Sequence, residues 1–166
     1  INNSNDEKKK KIFSLPFIIP KNLFKKKKIN VFKKFKIKEK YIFYPAQFWP
    51  HKNHIFILKG IYILEKKHNI KLSMVFAGGD MGYKDKIESY AKKLNIHNRL
   101  FLTGFIKDQE LIALYKNAIA LVMPTFFGPT NLPPLEAFNI GVPVIYPDIN
   151  GLREQVEDAA LLINLN

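Results

Sequence analysis

The chain has 166 residues, 47% of them apolar and 13% aromatic, enough for one domain with a real core and too few for two of ordinary size. Its formal charge of +13 is segregated: residues 1–40 hold 14 Lys against Asp6, Glu7 and Glu39, so +11 lies there and +2 in residues 41–166, which describes a local basic arm rather than a groove spread over a fold. The absence of Cys excludes disulfides and thiolate metal sites, and no apolar run approaches the ~20 residues needed to cross a bilayer.

Residues 1–40 read as a basic leading segment. The run Lys8–Lys11 before Ile12-Phe-Ser-Leu-Pro-Phe-Ile-Ile19 imitates a secretory leader, but Pro16, the closing Pro20-Lys21 and the lack of a small-residue cleavage site make it a strand near 12–19. The Lys-rich 21–40 stretch reads as a solvated helix or a linker. Because the sequence starts at Ile, it is expected to be a piece of something longer.

From Tyr41 onward, short β-rich runs alternate with helical patterns. Strands are predicted at Tyr41–Ala46, Leu72–Ala77, Leu100–Thr103, Ile119–Met123, Val142–Tyr146 and Ala160–Ile163, and helices at about His54–His68, Tyr83–Leu94, Asp108–Lys116, Leu132–Asn139 and Gly151–Val156. Nearly continuous apolar strands separated by helices indicate a parallel sheet covered on both faces, an α/β Rossmann-like doubly wound domain over 41–166. Ligands of such sheets lie beyond the carboxyl ends of the strands, where the loops gather.

Those loops carry the candidate chemistry. After the first strand comes Gln47-Phe-Trp-Pro-His-Lys-Asn-His54, where Lys52, just ahead of a helix, can meet a diphosphate as a point charge; the alternative is a solvated surface lysine. Gly78-Gly79 after the second strand permits close backbone approach, or simply turns the chain. No Gly-x-Gly-x-x-Gly or Walker pattern occurs, which disfavours dinucleotide and P-loop chemistry. His51 and His54 lie three apart, but without a third ligand nearby they read as capping or packing residues, so no metal site is expected.

The densest signal is Met123-Pro-Thr-Phe-Phe-Gly-Pro-Thr-Asn-Leu-Pro-Pro-Leu-Glu-Ala-Phe-Asn-Ile-Gly-Val-Pro-Val-Ile145. Its Gly/Pro/Thr/Asn loop opens a helix whose first turn offers backbone N–H groups to a phosphate, while Glu136 about one turn further in can accept hydrogen bonds from sugar hydroxyls. A nucleotide or nucleotide-sugar fits that pairing. The bland alternative is a carboxylate favoured by the helix dipole alone.

That string, together with Tyr44-Pro-Ala-Gln-Phe-Trp-Pro-His-Lys-Asn-His, Phe76-Ala-Gly-Gly and Leu102-Thr-Gly-Phe-Ile, resembles the carboxy-terminal domain of glycosyltransferase family 4, the glycosyl transferases group 1. Four motifs agree in order and spacing over nearly the whole chain, and Phe13–Pro20 resembles the segment leading into that domain. The resemblance implies a retaining, metal-independent glycosyltransferase of two-domain GT-B architecture, in which this half binds the nucleotide-sugar donor. It implies that the acceptor half is missing, that a final helical return is absent, and that this piece alone is inactive. Glu136 then falls on the carboxylate that holds the ribose hydroxyls and Lys52 on the cation that neutralises the diphosphate. Gly104, Phe105 and Ile106 match the loop that meets the base, Thr130, Asn131 and Leu132 the loop facing the distal phosphate or sugar, with Gly78 and Pro129 alongside. Two positions depart from the pattern: Gly128 stands where a first Glu is usual, and Gln47 where an Arg is usual.

The implied function is transfer of a hexose, with mannose the candidate, from a UDP-, GDP- or ADP-sugar to a glycan or lipid-linked acceptor in surface polysaccharide assembly. No separate cofactor is implied. The location expected is cytoplasmic, with the Lys-rich arm making a peripheral contact at the inner membrane face. A nucleic-acid module using Lys21–Lys40, with Phe24, Phe32 and Phe35 interleaved, is the rival from another class, but no nucleic-acid motif accompanies it and no nucleic-acid partner is expected. A domain that keeps the nucleotide site yet has lost transfer, as Gly128 permits, is the nearer alternative.

Overall fold

The computed structural model describes residues 29–37, 40–128 and 131–166. The strand expected near 12–19, residues 21–28, 38 and 39 of the Lys-rich stretch, Pro129 and Thr130 lie outside the described residues.

Six parallel strands form one sheet in the order β3-β2-β1-β4-β5-β6, with β1 Tyr41–Pro45, β2 Ser73–Ala77, β3 Leu100–Gly104, β4 Leu121–Val122, β5 Val144–Pro147 and β6 Leu161–Ile163. Helices α1 Val31–Phe35, α2 His54–His68, α3 Lys84–Lys93, α4 Asp108–Asn117, α5 Leu132–Ile140 and α6 Arg153–Val156 fill the intervals. All five residues of β2 are buried, whereas those of edge strand β3 are only partly so, because helices cover the sheet on both faces but none of the described residues adds a strand beyond β3. α2 and α3 pack on each other, and α4 packs with α1 and α5, as right-handed crossovers that reverse direction after β3 require. This is the doubly wound α/β fold read from the sequence.

Residue pairs Phe43↔Val75 and Phe43↔Leu121 set the register on either side of β1, so β1 and β4 are adjacent although α2, β2, α3, β3 and α4 separate them in the chain. The strand order reverses there, which puts the crevice between the loops that leave β1 and β4. The core beneath is aromatic and aliphatic: Tyr41, Phe43, Tyr44, Phe76, Leu114, Tyr115, Leu121 and Tyr146 are fully buried.

The elements differ from expectation mainly at their ends. β4 is two residues rather than five, and β5 runs one residue past Tyr146 to Pro147 while starting two later than predicted. Helix α3 begins at Lys84 because Asp80 accepts the N–H groups of Gly82, Tyr83 and Lys84 (2.9–3.2 Å) in place of a true N-cap. Gly141 closes α5 in the left-handed conformation (φ 81°) expected of a C-terminal glycine.

The leading segment also contributes structure. Val31 and Ile37 lie in the core, and Lys34 pairs with Glu110 of α4, so the folded unit takes in residues ahead of Tyr41. Glu110 is held below the usual carboxylate range first by that lysine and then by the N–H of Lys107, whose donation (2.9 Å) also caps α4. Among the described residues no helix is long and apolar enough to cross a membrane.

Candidate functional site

The loop after β1 is tied down from three sides. Phe48 N–H donates to the Gly79 carbonyl (3.0 Å), the Tyr44 hydroxyl donates to the Lys52 carbonyl (3.0 Å), and Trp49 Nε1–H donates to Gln47 Oε1 (3.0 Å). A single 3-10 turn, Pro50–Lys52, then passes through Asn53 at φ 56° into α2. Lys52 is thereby fixed at its backbone while its ammonium is half-buried, and burial lowers its pKa. Among the described residues it has no carboxylate partner. A cation partly withdrawn from water and left unpaired is an electrostatic cost that a bound anion would relieve.

The two histidines have separate fates. His54 is fully buried, its ring packed at 4.8–5.3 Å among Tyr44, Phe48 and Phe76, and neither ring nitrogen has a hydrogen-bond partner among the described residues. Burial, helped by Lys52, pushes its pKa down to about 3, so it is neutral. His51 lies nearer the surface, with its pKa lowered by burial and then by Lys52, and it stacks on Phe127 at 4.3 Å and 19°. Its carbonyl accepts from Phe126 N–H (3.0 Å) and lies 3.3 Å from Thr125 Oγ1. The loops after β1 and β4 are therefore joined across the crevice by backbone and ring contacts together.

On the β4 side the loop leads into α5 through Asn131. Its side chain is buried, donating from Nδ2 to the Tyr146 hydroxyl (2.6 Å) and to the Gly128 carbonyl (3.2 Å). The Gln155 carboxamide pairs with both backbone groups of Asn131, donating from Nε2 to its carbonyl (2.6 Å) and accepting its N–H at Oε1 (3.3 Å). Asn131, in the loop expected to face the distal phosphate or sugar, thus turns its side chain into the protein. Pro133 and Pro134 carry no N–H, so the first turn of α5 offers fewer donors than its position suggests, and Leu132 supplies the backbone N–H ahead of them.

Glu136 sits on the second turn of α5, half-buried. Tyr115 of α4 donates its hydroxyl to Oε2 (2.8 Å), holding the carboxylate in place. Burial raises the Glu136 pKa, the Tyr115 hydrogen bond pulls the other way, and Asp108 adds to the rise. One carboxylate oxygen accepting from a tyrosine leaves lone pairs for further donors, which is the capacity a vicinal diol requires.

Gln47, Gly78, Gly104, Phe105 and Ile106 line one open groove of about 250 Å³ at the ends of β1, β2 and β3. Phe105 is 92% exposed, presented by Gly104 at φ 67°. Gly78 is needed for packing: a Cβ there would lie 2.2 Å from the Ala46 carbonyl oxygen, so the close approach it permits is between two loops of this chain. Gly128, at φ 153°, faces a second groove of about 250 Å³ lined by Phe126, Phe127 and residues 149–152; a Cβ there would lie 2.6 Å from Asn131 Oδ1. Tyr115, Tyr146 and Gln155 were invisible in the sequence as site-forming residues, because each reaches its partner from an element remote in the chain.

A six-strand parallel sheet with these motifs at its carboxyl ends is the arrangement the four-motif resemblance implied, and the comparison of families decides it. The sequence model described as Glycosyl transferases group 1 matches residues 25–164. The chain belongs to the glycosyl transferases group 1. Among curated relatives of this group 1 domain, an uncharacterized glycosyltransferase of Methanocaldococcus jannaschii is 27% identical over 159 residues, covering 93% of this chain and 40% of that protein. The O-antigen chain mannosyltransferase RfbU of Salmonella typhimurium is 28% identical over 129 residues, covering 78% and 35%. The group 1 chain thus spans about two-fifths of the length of such relatives. In structure, WaaG, a glycosyltransferase involved in lipopolysaccharide biosynthesis, superposes with a TM-score of 0.73 at 20% identity over 90% of this chain and 42% of its own. The Anabaena HepE complex with UDP-glucose gives 0.70 at 16% identity over 86% and 41%. These likenesses carry the fold, that of GT-B glycosyltransferases.

Proposed function

We propose that this chain is the donor-binding half of a retaining glycosyltransferase, holding a nucleoside diphosphate sugar between the loops that leave β1 and β4. The observation that carries the reading is Lys52, a half-buried ammonium with no carboxylate partner among the described residues, fixed by Tyr44 at the switch point of the sheet. In this reading Lys52 meets the diphosphate, Glu136 accepts the ribose hydroxyls while Tyr115 orients it, and the Gly104–Phe105–Ile106 groove receives the base.

Transfer breaks the bond between the sugar's anomeric carbon and the terminal phosphate oxygen, whose bonding electron pair leaves with that oxygen, while an acceptor hydroxyl oxygen bonds to the same carbon and gives up its proton to the departing phosphate. In this reading Lys52 and the Leu132 N–H hold the growing charge, which is stabilisation by preorganised donors and needs no metal. Relatives named as mannosyltransferases support a hexose such as mannose, and neighbours solved with UDP and UDP-glucose support a nucleotide-sugar. The acceptor, a glycan or a lipid-linked saccharide, would be taken by the portion of the enzyme that such relatives have in addition, at the cytoplasmic face of a membrane.

Calorimetric titration of the chain with UDP, GDP and ADP, with and without Mg²⁺, tests this. Selective binding of one nucleotide that persists without Mg²⁺ is expected, and Glu136→Ala is expected to weaken it by about 1.5–3 kcal/mol through loss of charge-assisted hydrogen bonds. Unchanged affinity in that variant would remove the ribose assignment. A second reading, nucleotide binding without transfer, is favoured by Gly128, where the Asn131 side chain fills the space a carboxylate would need. Turnover of a bound nucleotide-sugar by the whole enzyme decides between them.

A further inference from the structure

The start of α5 is held by a ring of hydrogen bonds that the donor-site reading does not use. Asn131 Nδ2 donates to the Tyr146 hydroxyl (2.6 Å), that hydroxyl donates to Gln155 Oε1 (3.3 Å), and Gln155 pairs with the Asn131 peptide from the other side, through its carbonyl at 2.6 Å and its N–H at 3.3 Å. The Asn131 peptide, its Nδ2, the Tyr146 hydroxyl and both ends of the Gln155 carboxamide all have partners inside the protein. Asn131 is 5% exposed and Tyr146 is 0% exposed, so these bonds form away from competing water, where each polarises the next.

The three residues come from different places. Asn131 precedes α5, Tyr146 is in β5 and Gln155 is in α6, so the ring ties the loop after β4 to the far half of the sheet. The alternative anchor is absent, since Pro133 and Pro134 remove two of the donors that normally fix a first helical turn. Gly128 belongs to the same assembly: it gives its carbonyl to Asn131 Nδ2, and any side chain at 128 would displace the Asn131 carboxamide.

We infer that Tyr146 and Gln155 are positioning residues for the distal phosphate of the donor, acting through Asn131 to aim the backbone N–H of Leu132 that follows it. The inference rests on the donor-site reading above. It also gives Gly128 a reason: a carboxylate at that position and the Asn131 carboxamide in this ring exclude each other sterically, so this chain carries one device instead of the other.

The ratio of nucleoside diphosphate to nucleoside monophosphate affinity reads the effect, because only the diphosphate reaches the start of α5. The whole chain is titrated with both forms of whichever of UDP, GDP and ADP it prefers, alongside Tyr146→Phe and Gln155→Leu, with a thermal melt for each. Expected is a roughly 3- to 10-fold loss of diphosphate affinity in each variant with monophosphate affinity unchanged, since one or two net hydrogen bonds lose their alignment. A purely structural role would lower the melting temperature and either weaken both nucleotides equally or leave both unchanged, and either result overturns the inference. Two substitutions from different elements keep the test standing if one of them fails to fold. If the unaltered chain binds no nucleotide, the donor-site reading falls and this inference with it; if it binds and the ratio stays fixed, the inference alone falls.

Discussion

Two helices start at the switch point, and they are prepared for an anion in opposite ways. At α2 the Lys52 carbonyl is held by the Tyr44 hydroxyl, and the charge is carried by a half-buried side chain. At α5 charge is absent, two prolines thin out the donors, and a buried amide ring fixes what remains. One end supplies attraction and the other direction. A diphosphate lying between them would be drawn by the first and placed by the second, so strength of binding and geometry of the leaving group are separable properties in this fold.

The sharpest way to break that division is at Lys52. Lys52→Met should cost about 1.5–3 kcal/mol of nucleoside diphosphate binding, a loss of the charge-assisted contact, and should flatten the salt dependence of affinity measured by calorimetry between low and moderate ionic strength. If the salt dependence stays as steep as before, the attraction comes from elsewhere and the division between the two helix starts is wrong.

A slightly smaller effect concerns stability at the α2 start. His54→Phe replaces a fully buried ring with two unpartnered nitrogens by one that suits its aromatic box, and should stabilise the fold by about 1–3 kcal/mol in urea denaturation. The sign with pH follows from its pKa of about 3 in the fold. The unfolded histidine takes up a proton near its ordinary value of about 6.5 and the folded one does not, so stability is full above that value and falls as the solution is acidified toward 3. The advantage of His54→Phe should therefore widen from pH 7 to pH 5. An advantage that stays constant would mean that His54 finds a proton acceptor in the fold.

The gentlest test lies on α5. With its pKa raised chiefly by burial, Glu136 protonates at a higher pH than an exposed glutamate, and a protonated carboxyl is a poorer acceptor for ribose hydroxyls. Nucleotide affinity should thus decline on acidification sooner than an ordinary carboxylate would dictate, and Glu136→Gln should remove that dependence. A persistent acid limb in the glutamine variant would assign it to another group.

The same contrast explains what the sequence disclosed. The positions of Lys52, Glu136 and the strand-end glycines were legible because they attach to local order: a residue type at a fixed distance from a strand end or helix start. The sheet was legible for a similar reason, since runs such as Ser73–Ala77 are apolar throughout and leave a two-sided burial as the only economical solution. The ring around Asn131 was not legible, because Tyr146 and Gln155 are 15 and 24 residues away and no spacing rule announces that a tyrosine and a glutamine will converge on one asparagine. Tyr115, 21 residues from Glu136, escaped in the same way. Val31 and Ile37 were overlooked for a different reason, since the surrounding lysines masked two apolar residues that the core takes up.

The joint at His51 has a kinetic meaning. With its carbonyl engaged by the neighbouring loop and its ring flat against Phe127, the segments leaving β1 and β4 cannot part independently. They form one mechanical body with a single opening coordinate, so a ligand entering between them should be admitted in one relaxation, as a single exponential in stopped-flow fluorescence of Trp49, and not as two phases that report first one wall and then the other.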